Sequence, residues 1–143
     1  MELGLNGKIA WVTGASKGLG FASALGLARE GCDLAICSRD PAAIARAAER
    51  IRAETGRDVL ALAVDVTRAD DLQRFVDAAM ERFGGVDILV SNTPGPPAGF
   101  FMDLPDAAWQ GAFDTLLMPA VRLTRAVIPS MKARGYGRIL YIT

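Results

Sequence analysis

The sequence predicts an α/β fold: a doubly wound parallel sheet with helices on both faces. Short, continuous apolar runs alternate along the chain with longer segments that have the periodicity of helices. Continuous apolar runs are typical of strands buried on both faces of a parallel sheet, and parallel strands need crossover helices between them. The 143 residues, 51% of them hydrophobic, suit one domain with a substantial core.

Five apolar runs are the expected strands, joined by right-handed crossovers. In chain order they cover 9–13, 34–38, 59–66, 87–91 and 138–143. The loop that follows the fourth strand, 92–100, is rich in glycine and proline.

The expected helices fill the gaps between these runs. The first covers about 19–30 and stops at Gly31. The second has Asp40 as its N-cap, Pro41 at its first helical position and Gly56 past its end.

The third and fourth helical regions have less regular signals. The third follows Thr67, with Asp70 three residues on as a variant of the capping box, and ends at 84–85. The fourth covers about 106–134 and is expected to kink or break at one of its two prolines, Pro119 and Pro129.

Composition excludes several classes of function. The chain has no histidine, which removes histidine-based triads and the usual zinc sites, so no metal site is expected. Its two cysteines, Cys32 and Cys37, lie in or beside an apolar segment and are expected to be small buried hydrophobes rather than a disulfide or a metal clip.

Charge and hydropathy narrow the location and the partners. Sixteen basic residues balance sixteen acidic ones, so nucleic acid is a disfavoured partner. No segment has the pattern of a signal peptide or a membrane span. A cytoplasmic protein without a membrane partner is therefore expected.

The segment VTGASKGLGFA, residues 12–22, places three glycines at the first strand-to-helix turn. A helix N-terminus there offers unpaired N–H groups and partial positive charge to a pyrophosphate. Gly14 would make the turn, Gly18 would let phosphates approach, and Gly20 would let the helix pack on the strand. A tight structural turn is the alternative, but the position in the first βαβ unit favours a Rossmann-type dinucleotide site.

With these glycines spaced Gly-x-x-x-Gly-x-Gly, the sequence resembles the short-chain dehydrogenase/reductase family, including its 3-oxoacyl-ACP reductase-like members. Further matching segments are SRD (38–40), DV (65–66), SN (91–92) and GRILYIT (137–143). The resemblance implies hydride transfer between a nicotinamide and a small-molecule carbonyl or alcohol. The function expected is that of an NADP(H)-dependent oxidoreductase.

The resemblance also implies roles for individual residues. Asp65 and Val66 would meet the adenine, and Asn92 would steady the central strand beside the cofactor. For Asp65 and Asn92 a helix cap or a turn residue is the alternative. The candidate cofactor-binding residues are Gly14, Ser16, Lys17, Gly18, Leu19, Gly20, Ser38, Arg39, Asp65, Val66, Asn92 and Thr93.

The end of the second strand favours NADP(H) over NAD(H). A carboxylate there would bind a free ribose 2′-hydroxyl, whereas an arginine would pair with a 2′-phosphate. Asp40 is better explained as the N-cap, which leaves Arg39 with Lys17 to face the phosphate. A solvated surface arginine is the alternative for Arg39, whose basic side chain also disfavours a methyltransferase of related topology.

Two positions depart from the family pattern. Thr93 and Pro94 follow Asn92 where the family usually has Asn-Ala-Gly. Leu116 stands where the family commonly has an asparagine that holds a proton-relay water. Leu116 is expected to be a core residue, because it shares an apolar face with Ala120, Leu123 and Val127.

No catalytic residue is identified in this chain. The family's Tyr-x-x-x-Lys pair is missing, since neither Tyr136 nor Tyr141 has a lysine four residues later, and the family's serine would fall just after residue 143. We therefore expect 1–143 to be a single dinucleotide-binding domain, truncated before the catalytic segment and inactive alone. A non-catalytic nucleotide-binding or assembly module is the alternative.

The resemblance further implies a homodimer or homotetramer. In the family, the helices equivalent to 70–83 and 106–134 pair across two-fold interfaces. The residues expected either to anchor such an interface or to line the core or a pocket are Phe100, Phe101, Trp109 and Phe113.

Overall fold

Five parallel strands form one sheet in the order β3-β2-β1-β4-β5 in the computed structural model, which describes residues 2–143. The strands are β1 (Ile9–Thr13), β2 (Asp33–Ser38), β3 (Val59–Ala63), β4 (Ile88–Asn92) and β5 (Arg138–Ile142). The chain runs outward from β1 to β3 and then crosses to β4 on the other side of β1. This order confirms the predicted α/β class and creates a topological switch point between β1 and β4.

The first two helices lie within a residue or so of their predicted bounds, and both caps predicted for the second are present. They are α1 (Gly18–Arg29) and α2 (Pro41–Thr55). Asp40 Oδ1 accepts hydrogen bonds from the amides of Ala42 and Ala43 at 2.9 and 3.0 Å, and Gly56 ends α2 in the left-handed conformation.

The third helix follows Thr67 as predicted, but the predicted capping box is not formed. Helix α3 (Ala69–Phe83) has Arg68 at its N-cap, and Thr67 caps nothing. The amide and hydroxyl of Thr67 both donate to Asp65 Oδ1, at 3.0 and 2.7 Å, while Asp70 pairs with Arg68. The nearby carboxylate of Asp65 forms a turn with Thr67, so the threonine hydroxyl does not cap the helix.

The fourth helical region is broken, as expected, on the N-terminal side of Pro119. It consists of a 3₁₀ turn (Phe101–Asp103), α4 (Asp106–Ala112), a π-helical segment (Phe113–Leu117) and α5 (Met118–Arg134). Pro119 has no N–H to donate to the preceding turn, and the wider π turn lies directly before it. Pro129 lies inside α5 without ending it.

The core has two layers, one on each face of the sheet. One layer packs β1, β2 and β4 against α1 and α2, and the other packs them against α3 and α5. In the second layer the ring of Trp11 meets Phe75 edge-on, with 5.7 Å between the ring centroids.

Burial on both faces was predicted for all the strands, but it holds only at the centre of the sheet. Strand β5 is largely exposed, with half of Leu140 and half of Tyr141 accessible, and β3 is partly exposed. Both are edge strands, and each has a sheet neighbour on one side only.

An ion pair joins β4 to α5 at the amino-terminal end of the sheet. Nε and Nη2 of Arg134 donate to the two carboxylate oxygens of Asp87 at 2.7 and 3.0 Å, and the Ile9 amide donates to Asp87 Oδ2 at 2.9 Å. Burial alone would raise the pKa of Asp87, but the Arg134 fork and the Ile9 amide outweigh it and hold that pKa below its usual value. The pair fixes α5 relative to β1 and β4.

Both cysteines are fully buried free thiols, as predicted. Burial raises the pKa of Cys32 to about 11 and that of Cys37 to about 12. Within residues 2–143, none of the helices combines the length and the apolar character needed to cross a membrane.

Candidate functional site

The glycine turn after β1 has the geometry its sequence suggests. Gly14 and Gly18 have φ angles of +59° and +58°, which favour glycine. A Cβ on Gly14 would lie 2.7 Å from Asn92 Nδ2, and one on Gly20 only 2.1 Å from the Gly14 carbonyl oxygen. A Cβ on Gly18 would meet no atom of the described residues within 4 Å, so this glycine leaves space open rather than filling a tight contact.

A threonine that the sequence analysis missed links the glycine turn to β4. Thr13 Oγ1 donates to the Asn92 carbonyl at 2.8 Å and accepts from the Asn92 amide at 2.9 Å. Asn92 Nδ2 in turn donates to the Gly14 carbonyl at 3.2 Å. The sequence contains one hint of this contact, since Thr13 is the one polar residue of the apolar run IAWVT. The hint is weak, because β-branched threonine is common in strands for reasons of conformation alone.

A cavity of about 500 Å³ opens at the carboxyl ends of the strands, beside this turn. Ten of the twelve candidate cofactor-binding residues line it: Gly14, Ser16, Lys17, Gly18, Ser38, Arg39, Asp65, Val66, Asn92 and Thr93. The other two lie nearby. Gly20 is buried beneath the turn, and Leu19 is exposed and lines a second cavity.

The cavity wall contains charged side chains of both signs, namely Lys17 and Arg39 and the carboxylates of Asp40 and Asp65. Arg39 and Lys17 are exposed and make no ion pair with any of residues 2–143. Both carboxylates accept hydrogen bonds from nearby donors: Asp40 from two amides of α2, as expected for its N-cap role, and Asp65 from the amide and hydroxyl of Thr67. The two cations are therefore the charged groups of the wall that remain available to an anion.

Asp65 and Asn92 both have local structural partners as well as a place in the cavity wall. Asp65 makes a turn with Thr67, and Asn92 holds the carbonyl of Gly14. The alternative of a turn residue thus describes part of what Asp65 does. Lining the cavity and shaping its wall are compatible roles for both residues.

A second, larger cavity of about 1040 Å³ adjoins the first and shares Asn92 and Thr93 with it. Leu116 lines this cavity and is 38% exposed, so the prediction that it is a core residue was wrong. Leu123 and Val127 of the same expected face are fully buried. The prediction assumed the 3.6-residue turn of an α-helix. Leu116 lies in a π-helical segment, which has more residues per turn, so its side chain leaves the apolar face of Leu123 and Val127.

Neither tyrosine of the chain lies in the central core. Tyr141 lines the second cavity, and its hydroxyl lies 2.5 Å from Thr124 Oγ1. The ring of Tyr136 lies against two cations, 4.1 Å from Lys8 Nζ and 4.8 Å from Arg138 Cζ, measured to the ring centroid.

Four aromatic residues of the fourth helical region form an exposed group, which we call the aromatic patch: Phe100, Phe101, Trp109 and Phe113. They are between 46% and 81% exposed, and the rings of Phe101 and Trp109 meet edge-on with 5.5 Å between centroids. None of them lines either cavity. They are therefore neither core residues nor part of the lining of these two cavities.

Metal ligation has no support within the described part of the chain. Among residues 2–143 no three acidic, cysteine or histidine side chains are grouped closely enough to hold an ion. The candidate site is a glycine-rich cavity with charged side chains of both signs, beside a more apolar cavity.

Comparison with known proteins gives consistent matches along the chain. The sequence model of the short chain dehydrogenase family matches residues 8–143. Dehydrogenase/reductase SDR family member 4 of Bos taurus is 36% identical over 140 residues, which are 97% of this chain and 50% of that protein. The chain thus spans about half the length of the curated relatives it matches.

Solved structures are similar over nearly the whole chain. L-sorbose reductase from Gluconobacter frateurii, complexed with NADPH and L-sorbose, has a TM-score of 0.94 and 38% identity, with 99% of this chain and 54% of that one covered. A 7α-hydroxysteroid dehydrogenase complexed with NADH and 7-oxo glycochenodeoxycholic acid has a TM-score of 0.91 and 32% identity, with 97% and 54% covered.

The contact between Gly20 and Gly14 predicts opposite effects of alanine at two glycines of α1. Gly20→Ala puts a Cβ against backbone, and we expect a loss of about 1–3 kcal/mol in the free energy of unfolding. Gly26→Ala is the matched control, because Gly26 is exposed and its Cβ would touch nothing within 4 Å among the described residues. It should gain about 0.5–1 kcal/mol. Urea unfolding measures both, and equal stabilities would contradict the close approach.

Proposed function

Because the chain belongs to the short chain dehydrogenase family, we propose that it is the NADP(H)-binding half of an oxidoreductase that interconverts a carbonyl and an alcohol by hydride transfer. One observation carries the proposal. The glycine turn, Arg39, Asp65 and Asn92 come together from separate parts of the sequence around one cavity at the switch point of the sheet.

The start of α1 supports pyrophosphate binding. Its N-cap residue, Lys17, makes no side-chain hydrogen bond to the first turn, and that turn contains no acidic residue. Helix α2 differs, because Asp40 caps its first amides. The first amides of α1 therefore remain available to an anion, and the absent side chain at Gly18 leaves them accessible from the cavity.

The charges near β2 support NADP(H) as the preferred cofactor. Arg39 lines the cavity without an ion-pair partner among residues 2–143, and a guanidinium matches a 2′-phosphate in charge and in geometry. Asp40 also lines the cavity, but its Oδ1 accepts from two amides of α2, which is the role of an N-cap. One similar structure contains NADPH and another contains NADH, so similarity to these structures does not favour either cofactor. Arg39 is the feature of this chain that favours NADP(H).

The proposed reaction needs groups beyond those of the cofactor cavity. The nicotinamide supplies the hydride, and the carbonyl oxygen needs a proton donor held close to it. We propose that polypeptide outside 1–143 supplies this donor, because the hydroxyl of Tyr141 is paired with Thr124 and Tyr136 has a leucine, not a lysine, four residues later. In that arrangement 1–143 is a single cofactor-binding domain.

A non-catalytic nucleotide-binding or assembly module is the second candidate function. Leu116 favours it, because the family commonly has a polar relay residue at that position. Both candidate functions use the cofactor cavity, but only the oxidoreductase would convert a substrate.

We also propose that copies of the chain associate as a homodimer or homotetramer through the aromatic patch. Large aromatic side chains are enriched in protein interfaces, and contiguous apolar patches are rarely left open on monomers. Trp109 and Phe113 lie within 106–134, the helical region that pairs across two-fold axes in the family, and Phe100 and Phe101 lie shortly before it.

The cofactor preference is tested by calorimetric titration with NADPH and NADH. We expect NADPH to bind about tenfold to a hundredfold more tightly, and Arg39→Ala to remove most of that difference. Arg46→Ala is the matched control, because Arg46 is also exposed but does not line the cavity. Equal affinities for the two cofactors, or an unchanged preference in Arg39→Ala, would contradict the proposal that Arg39 selects NADP(H).

The division of the active site is tested by NADPH oxidation. With a panel of ketones and 3-oxoacyl thioesters, we expect residues 1–143 to bind NADPH without consuming it, because in our proposal the proton donor belongs to polypeptide outside 1–143. L-sorbose reductase with L-sorbose is the positive control for the assay. Turnover by this chain that disappears in Tyr141→Phe would instead make Tyr141 the donor and overturn this part of the proposal.

Association is tested by light scattering at micromolar concentration. We expect the mass of a dimer or tetramer, and a shift toward monomer in Phe101→Ser because a hydroxyl replaces an aromatic anchor. Leu3→Ser is the control, since Leu3 is an exposed apolar residue outside the patch. A strictly monomeric mass for the unmodified chain would contradict the proposal.

A further inference from the structure

The loop from Ala63 to Val66 connects β3 to the wall of the cofactor cavity. Val64 and Val66 are buried in the core, and Asp65 between them lines the cavity. The Val64 amide donates to the Ser38 carbonyl at 2.8 Å, which holds the start of the loop to β2. The position of Asp65 thus depends on what holds the remainder of the loop.

An ion pair at the start of α3 holds that remainder. Asp71 Oδ2 accepts a hydrogen bond from the Asp65 amide at 2.6 Å. Arg74 donates to Asp71 Oδ1 from Nε and Nη2 at 3.1 and 2.6 Å, and its Nη2 also reaches the Ala63 carbonyl at 2.6 Å. One pair of side chains therefore binds the backbone on both sides of Val64.

Asp71 does more than an acidic residue usually does in the first turn of a helix. At the third helical position a carboxylate commonly returns to the N-cap amide, which here belongs to Arg68. Asp71 instead reaches three residues further back, to Asp65. The Asp65 amide and the Arg74 guanidinium together lower the pKa of Asp71, which favours the ionised form that accepts both.

We propose that Asp71 and Arg74 are positioning residues for the adenine side of the cofactor cavity, acting through the backbone of residues 63–65. The inference rests on the proposed function, since it assigns the ion pair a role in nucleotide binding. Neither side chain lines the cavity. Their substitution would change affinity only by releasing the loop that carries Asp65 and Val66.

The test uses adenosine 2′,5′-bisphosphate, a probe that contains the adenine and the 2′-phosphate but no nicotinamide. We expect Asp71→Ala to weaken its binding about tenfold by calorimetry, because a charge-assisted hydrogen bond to the loop is lost. Asp71→Asn keeps an oxygen that accepts from the Asp65 amide, so it should recover most of the affinity. Unfolding measurements on both variants at the assay temperature are the control. If the two variants are equally folded, general destabilisation cannot explain why Asp71→Ala loses affinity and Asp71→Asn does not.

A neighbouring carboxylate supplies the matched control. Asp70 is also in the first turn of α3 and pairs with Arg68, but it does not reach the loop. Asp70→Ala should bind the probe as the unmodified chain does. Arg74→Gln is the second variant, chosen because more than half of the Arg74 side chain is exposed and its replacement spares the core; we expect it to weaken binding about threefold.

Hydrogen exchange of the Asp65 amide gives a readout that needs no ligand. Exchange should become faster in Asp71→Ala and remain slow in Asp70→Ala. Normal binding by the unmodified chain together with unchanged affinity in Asp71→Ala and Arg74→Gln would overturn this inference alone. Absence of binding by the unmodified chain would overturn the proposed function and the inference with it.

Discussion

The close approach of β4 to the turn after β1 is the constraint on which the cofactor cavity depends. Thr13 holds both backbone polar groups of Asn92, and Asn92 holds the carbonyl of Gly14. At this spacing a Cβ on Gly14 or Gly20 would overlap its neighbours. The absence of two side chains therefore sets where α1 begins, and the start of α1 sets the direction in which its free amides point.

The polar side chains around the cavity divide into two groups. Asp40, Asp65 and Asp71 all accept hydrogen bonds from backbone amides, so their negative charge is used to shape α2 and the loop after β3. Arg39 and Lys17 face the cavity without a carboxylate partner among residues 2–143. The two cations thus remain available to an anion, whereas the helix cap and the turn engage the two carboxylates of the cavity wall.

The features that could be predicted from the sequence depend on residues close together in the chain. The strands, the α2 cap at Asp40 and the turn at Gly14 follow from runs and spacings of a few residues. The predictions that failed concern residues whose conformation depends on a competing hydrogen-bond partner or on a local change of helix type. Thr67 had a nearer acceptor in Asp65, and the π-helical segment moved Leu116 off the face counted for it. The Thr13 link to Asn92 spans 79 residues, which no local pattern signals.

The two side-chain types that most often change charge near neutrality do not do so within residues 2–143, because histidine is missing from the sequence and both thiols are buried. Histidine is the side chain whose ordinary pKa lies between about pH 5 and 8, and burial moves the pKa values of Cys32 and Cys37 to about 11 and 12. A bell-shaped rate profile recorded near neutrality would therefore report on groups other than a histidine or a cysteine of these residues.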